Sequence, residues 1–117
     1  HGYYVKPVIF TDVTNDMTIA REEIFGPVLS VIAYDTADEA LAIANDTPYG
    51  LNAAVWGPDK EEASKVAAAV LSGNVYVNDS PRDVTAPFGG FKDSGIGREG
   101  GKDGMLEFTE PQAIFYA

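Results

Sequence analysis

The sequence lacks sulfur nucleophiles altogether. Its 117 residues contain no cysteine, which excludes disulfides, thiolate metal sites and a cysteine nucleophile within these residues. The single histidine stands at position 1, whereas a Ser-His-Asp triad or a histidine metal cluster needs one placed inside the fold. No metal site is therefore expected. Cationic residues are also scarce, with eight Lys and Arg against 18 Asp and Glu and a net charge of −10. Nucleic acid is disfavoured as a partner because phosphate binding needs clustered Lys and Arg. Anionic membrane surfaces are disfavoured for the same reason. No stretch approaches the about 18 apolar residues of a membrane span, and no basic segment followed by an apolar one opens the chain as a secretory signal would. The expectation is a cytoplasmic protein with no nucleic-acid or membrane partner. An initiator Met is missing too, so His1-Gly2 reads either as a tag remnant or as a cut from something longer. Asn45-Asp46-Thr47 and Asn78-Asp79-Ser80 match the glycosylation pattern, which without a secretory signal reads as chance.

Hydrophobic residues make up 45% and charged residues 22%, ordinary values for one globular domain. A chain of this length is expected to bury roughly 60–70% of its unfolded surface. Val5 to Val13 is β-rich but interrupted by Pro7, and reads as an extended entry segment or edge strand. Asn15-Asp16 is placed to cap a short helix over Met17 to Glu23, with Gly26-Pro27 as its stop. Val28 to Tyr34 is a nearly continuous apolar run, the pattern of a strand buried on both faces. Thr36 and Glu39 fit a capping box, and Ala37, Ala40, Leu41 and Ala44 follow at helical spacing. A turn at 45–50 leads to a second strand, Leu51 to Trp56. Asp59 and Glu62 repeat the cap pattern before the stripe Ala63, Val66, Ala67, Val70 and Leu71. Gly73 stands where a helix C-cap belongs, and Val75-Tyr76-Val77 is a third strand. Residues 79–101 are a long Gly-rich loop, which in a compact domain is functional or mobile. A short helix near Lys102 to Phe108 and a strand over Ala113 to Tyr116 follow. The expected fold is α/β: a three-layer sandwich-like unit around a mostly parallel βαβαβ sheet, with right-handed crossovers.

Two segments can carry chemistry. In Glu22-Glu23-Ile24-Phe25-Gly26-Pro27-Val28, carboxylates end a helix beside an aromatic and a Gly-Pro turn. Such a carboxylate is either a solvated helix end or an acceptor for paired hydroxyls, as in a ribose. In Pro87 to Gly101, Gly95, Gly97 and Gly100 match G-x-G-x-x-G. That fingerprint must follow directly on a strand and precede an acidic residue about 20 positions later. Neither condition is met, so the glycines are assigned to positive φ or close backbone packing. Lys92 and Arg98 in this loop read as an anion site or as partners of Asp93 and Glu99. Arg82 reads as an exposed loop arginine. Trp56 and Tyr76 read as core.

Taken in order, EEIFGPV at 22–28, YGLNAAVW at 49–56, VYVND at 75–79 and PFGGFKDSGIGREGG at 87–101 resemble the aldehyde dehydrogenase superfamily. The resemblance runs from Gly2-Tyr3-Tyr4 to the last predicted strand. It implies that the chain is the C-terminal part of the catalytic domain of an NAD(P)-dependent enzyme, with residues 112–117 the returning oligomerisation strand. It further implies that Glu23 hydrogen-bonds the nicotinamide-ribose hydroxyls, that Phe25 packs near the nicotinamide, and that Phe88 lines the aldehyde pocket. In many members the loop between Asn78 and PFGG also shapes that pocket, and by this resemblance Arg82 within it is either exposed or a recogniser of an acidic aldehyde.

The family mechanism is covalent: a cysteine thiolate attacks the aldehyde, hydride passes to NAD(P)+, and a glutamate-activated water hydrolyses the thioester. By the resemblance, the cysteine, the general-base glutamate and the phosphate-binding helix belong to segments preceding this one. These missing cofactor and catalytic segments are thus the implied partners. The chain holds no catalytic residue of its own, and alone is expected to be inactive and to bind NAD or NADP only weakly. The apolar Ala113 to Tyr116 edge is expected to drive homo-oligomerisation. A non-catalytic binding or scaffold module self-associating through that edge is the alternative. The aldehyde and the choice of NAD or NADP are not legible here.

Overall fold

A computed structural model describes residues 2–117. Contacts cluster into two compact units, residues 1–48 and 49–117.

In the first unit, β-branched and aromatic residues just beyond Pro7 form β1, Val8–Phe10, which pairs in parallel with β2, Val28–Ser30. The register sets Val8 against Val28 and Phe10 against Ser30. Pro7 has no N–H to give a ladder, and it stays just outside the strand. The crossover carries α1, Thr18–Arg21. Neither Asn15 nor Asp16 caps it: the N-cap is Met17, without a side-chain bond. Asn15 Nδ2 instead donates to Asp46 Oδ2 at 2.7 Å. α2, Ala37–Asn45, begins at Thr36, whose hydroxyl accepts from Glu39 N. Glu39 reaches back to Asp35 N at 2.8 Å, one residue before the position a capping box uses. At the helix end, Asp46 accepts from Arg21 Nη1 through both its main-chain and side-chain oxygens, at 2.6 and 2.8 Å.

The second unit is built on β3, Asn52–Val55, α3, Lys60–Ala69, and β4, Asn74–Val77. β3 and β4 are parallel, with Asn52 opposite Asn74 and Val55 opposite Val77. Asp59 caps α3 by accepting from Glu61 N and Glu62 N. α4, Gly101–Leu106, follows the Gly-rich loop.

The α/β class with parallel strands holds, but the strands do not form one three-stranded sheet. They form two parallel pairs, β1 with β2 and β3 with β4. The Val5 to Val13 segment supplies β2 with its neighbour. Residues 113–116 form no strand: a ladder needs a partner's N–H and C=O groups, and none among the described residues supplies them. The core is thin. Val13 and Ala63 are the buried hydrophobic residues among those described. Leu29, Val31 and Tyr34, read as part of a doubly covered strand, are exposed, and so is Trp56. Tyr76 is half-buried. A parallel pair buries both faces only when helices cover both, and four- to ten-residue helices leave much of these faces open.

Gly73 does not cap a helix. α3 ends at Ala69 with Val70 as its cap. A Cβ at Gly73 would stand 1.6 Å from the Gly89 carbonyl oxygen, so the glycine is there for backbone approach between β4 and the loop.

Candidate functional site

The first candidate site is the connection from α1 to β2. Glu22 closes the helix, its N–H donating to Thr18 O at 2.9 Å, and the chain then turns through Glu23 to Pro27. Phe25 sits at φ +56°, a left-handed conformation that costs a non-glycine residue roughly 1 kcal/mol or more. Val28 N donates to Gly26 O across Pro27 at 2.8 Å, and Val8 N to Pro27 O at 2.9 Å. The turn is thereby tied to both strands. Its side chains are not tied: Phe25 is 92% exposed, and the exposed Glu23 carboxylate has no hydrogen-bond or ion-pair partner among the described residues. Glu23 and Phe25 thus share one hydrogen-bonded turn, with acceptor oxygens and an aromatic face exposed.

Phe88 belongs to the other unit. It exchanges two main-chain hydrogen bonds with Glu99, at 2.7 and 2.8 Å, which closes the 88–99 loop. Inside the loop, Lys92–Ser94 makes one 3-10 turn. Gly50 fastens the loop to the βαβ unit: its O accepts from Gly73 N and Phe91 N, and its N donates to Ser94 Oγ at 2.9 Å. Arg98 forms a salt bridge with neither Asp93 nor Glu99. Its Nη1 donates to the carbonyls of Gly90 and Gly97, at 3.1 and 2.6 Å, and its Cζ lies over the Phe91 ring, 5.4 Å from the centroid. Arg98 is therefore occupied as an internal brace. Gly101, at φ +56°, lies so close to Thr85 that a Cβ would stand 2.3 Å from the Thr85 oxygen. The helix it opens follows a loop rather than a strand, as the rejection of a dinucleotide fingerprint required. Phe88 lines an open groove of about 400 Å³ with Ser94, Ile96, Arg98, Glu107 and Phe108.

The loop from Asn78 to Phe88 starts with two consecutive left-handed residues, Asn78 at φ +51° and Asp79 at φ +60°. The Asn78 side chain acts as an extra peptide unit, its Oδ1 accepting from Gly57 N and its Nδ2 donating to Gly57 O, both at 2.9 Å. This prolongs the β3–β4 pairing by one step. Asn in a positive-φ turn is a known local signal, but its partner 21 residues away was not foreseeable. Farther on, Asp83 Oδ1 accepts from Thr85 Oγ1 and Thr85 N, at 2.7 and 2.8 Å. Those bonds, the hydroxyl's first, hold the Asp83 carboxyl below its ordinary range. Arg82 lies over the Phe88 ring, with Cζ 4.3 Å from the centroid.

Among the described residues, no group of acidic or histidine side chains is placed to hold a metal ion. No helix there is long and apolar enough to cross a membrane.

A family model described as the aldehyde dehydrogenase family matches residues 1–114. The chain belongs to this family. An aldehyde dehydrogenase-type protein from Staphylococcus saprophyticus is 53% identical over 113 residues, 97% of this chain but 24% of that protein. Aldehyde dehydrogenase C from Pseudomonas syringae, solved with NAD+ and octanal, is 55% identical with a TM-score of 0.93, over 97% of this chain and 23% of that one. The Mycobacterium tuberculosis aldehyde dehydrogenase complexed with NAD+ gives 49% identity and a TM-score of 0.90, over 93% and 23%. The chain therefore spans about a quarter of the length of the relatives it matches.

Proposed function

We propose that residues 22–28 and 78–101 supply the nicotinamide-ribose and aldehyde-pocket contacts of an NAD(P)-dependent aldehyde dehydrogenase, which oxidises an aldehyde to its carboxylate. The observation that carries this is an exposed Glu23 carboxylate without a partner among the described residues and an exposed Phe25 ring on the same turn. Two adjacent hydroxyls need a pair of acceptor oxygens, and a carboxylate provides them without a proton to lose. A flat heteroaromatic ring needs an apolar face, which Phe25 offers. The turn therefore fits the nicotinamide end of the cofactor, which when bound supplies the hydride acceptor. Phe88 forms one wall of the aldehyde pocket, excluding water from the reacting end. Because the 117 residues contain no cysteine, the covalent step is assigned to polypeptide outside them. Both units are assigned to the catalytic domain, residues 112–117 to an oligomerisation strand, and the enzyme to the cytoplasm.

The test is Glu23→Gln in the enzyme that carries this segment, which preserves size and removes charge. The KM for NAD(P)+ is expected to rise roughly tenfold, the worth of a charge-assisted hydrogen bond, with the KM for aldehyde nearly unchanged. Equal kinetics for the variant and the parent would overturn the assignment.

A second reading is favoured by one observation. Ile114, Phe115 and Tyr116 are exposed and have no strand partner among the described residues, as suits a segment that pairs with another copy. A non-catalytic module associating through residues 113–116 would dimerise yet leave dinucleotide titrations flat.

A further inference from the structure

Arg82 differs from the other arginines in what its guanidinium does. Arg21 is spent on Asp46, and Arg98 on two loop carbonyls. Arg82 makes no hydrogen bond and no ion pair among the described residues. Its one specific contact is with the Phe88 ring, 4.3 Å from the centroid. Stacking on a ring uses the face of a guanidinium and leaves its edge of N–H donors free. That edge fits a carboxylate with two parallel hydrogen bonds.

The backbone on either side is held. Pro81 fixes φ immediately before. Immediately after, Asp83 Oδ1 accepts from Thr85 N and Oγ1, and Asp83 forms no ion pair with Arg82. Thr85 in turn lies against Gly101 with no room for a Cβ between them. Arg82 is thus a restrained cation whose side chain covers one face of Phe88 and whose donors remain unspent. In a chain of net charge −10, this guanidinium has no acidic partner among the described residues.

We propose that Arg82 is a specificity-determining residue that receives a carboxylate at the end of the substrate opposite the aldehyde, making the preferred substrate an aldehyde acid. This rests on the reading of Phe88 as a wall of the aldehyde pocket. No bond to the substrate is made or broken by Arg82; it binds and orients only.

The experiment compares kcat/KM, in the enzyme carrying this segment, for an ω-carboxy aldehyde and for an uncharged aldehyde of equal chain length. The parent is compared with Arg82→Gln and Arg82→Lys, and binding of the corresponding dicarboxylate is followed by calorimetry. The ratio of the two kcat/KM values should fall about tenfold to a hundredfold in Arg82→Gln, mainly through KM. Dicarboxylate affinity should weaken by a similar factor. Arg82→Lys should recover part of both, as a point charge without the planar fork. An unchanged ratio in Arg82→Gln, with both substrates reduced alike, would mean Arg82 only supports Phe88 and would overturn the proposal. A parent that prefers the uncharged aldehyde would overturn it as well, while leaving the dehydrogenase reading intact. A parent that oxidises neither aldehyde refutes the dehydrogenase reading, and this one with it.

Discussion

Asp83 shows how a single hydroxyl can set the chemistry of a loop. Its carboxyl is held below the ordinary range because the ionised form accepts from Thr85 Oγ1 and N. A depressed folded-state value means that the contribution to stability is present above the unfolded value, near 3.9, and is lost as pH falls through the folded one. Thr85→Val removes the larger of the two bonds. The Asp83 carboxyl is then expected to titrate closer to its ordinary value, by NMR of the side-chain carbon, and an unmoved titration would contradict this. At the residue scale the sequence was legible where the signal was a motif. The motifs EEIFGPV and PFGG mark the family to which the chain belongs. The sequence was silent on partners: nothing local reports that Arg98 would turn to Gly90 and Gly97 carbonyls rather than to Glu99, or that Asn78 would bond Gly57. Such choices depend on which backbone groups the fold leaves unpaired.

The starts of α2 and α3 were legible for a related reason, whereas the cap expected at Asn15-Asp16 for α1 did not form. Thr36 and Asp59 act on N–H groups two or three residues away, so the information is local. Asp59→Ala is expected to lower stability by about 1 kcal/mol, seen as a reduced denaturation midpoint. Gly73→Ala is expected to lower it by more, because the added carbon would meet the Gly89 oxygen at 1.6 Å and the β4–loop contact would have to open. A ranking with Gly73→Ala the milder of the two would contradict this close approach. The sequence pattern suggested a helix cap at Gly73 because a glycine after an apolar stripe is locally indistinguishable from one. The carbonyl that demands it lies 16 residues later. Strand pairing failed for the same reason: period and composition mark a strand, but not its neighbour. β2 therefore found β1 through a segment interrupted by Pro7.

The whole chain presents much apolar surface. Phe25, Phe108, Phe115 and Tyr116 are each about nine-tenths exposed, and Val13 and Ala63 are the buried hydrophobic residues among those described. A core this small contradicts the burial expected from length and composition. Composition counts apolar residues without saying whose surface covers them. Surfaces of this kind recruit partners. The purified 117-residue chain is expected to show a mass above that of the monomer by light scattering at high concentration; a strictly monomeric mass would count against it. The same preparation is expected to show no NAD-coupled turnover of propanal, since it contains no thiol. Measurable steady turnover would refute the assignment of the covalent step to residues outside these.

The ladder registers bear on how the chain acquires its structure. Val8 meets Val28 and Asn52 meets Asn74, so each parallel pair closes a span of only about twenty residues. Such short spans carry a small closure entropy. A nascent chain leaving the ribosome could set the first pair while the second is still being synthesised. Amide protons of the two ladders should then become protected at separate times during synthesis, the N-terminal pair first.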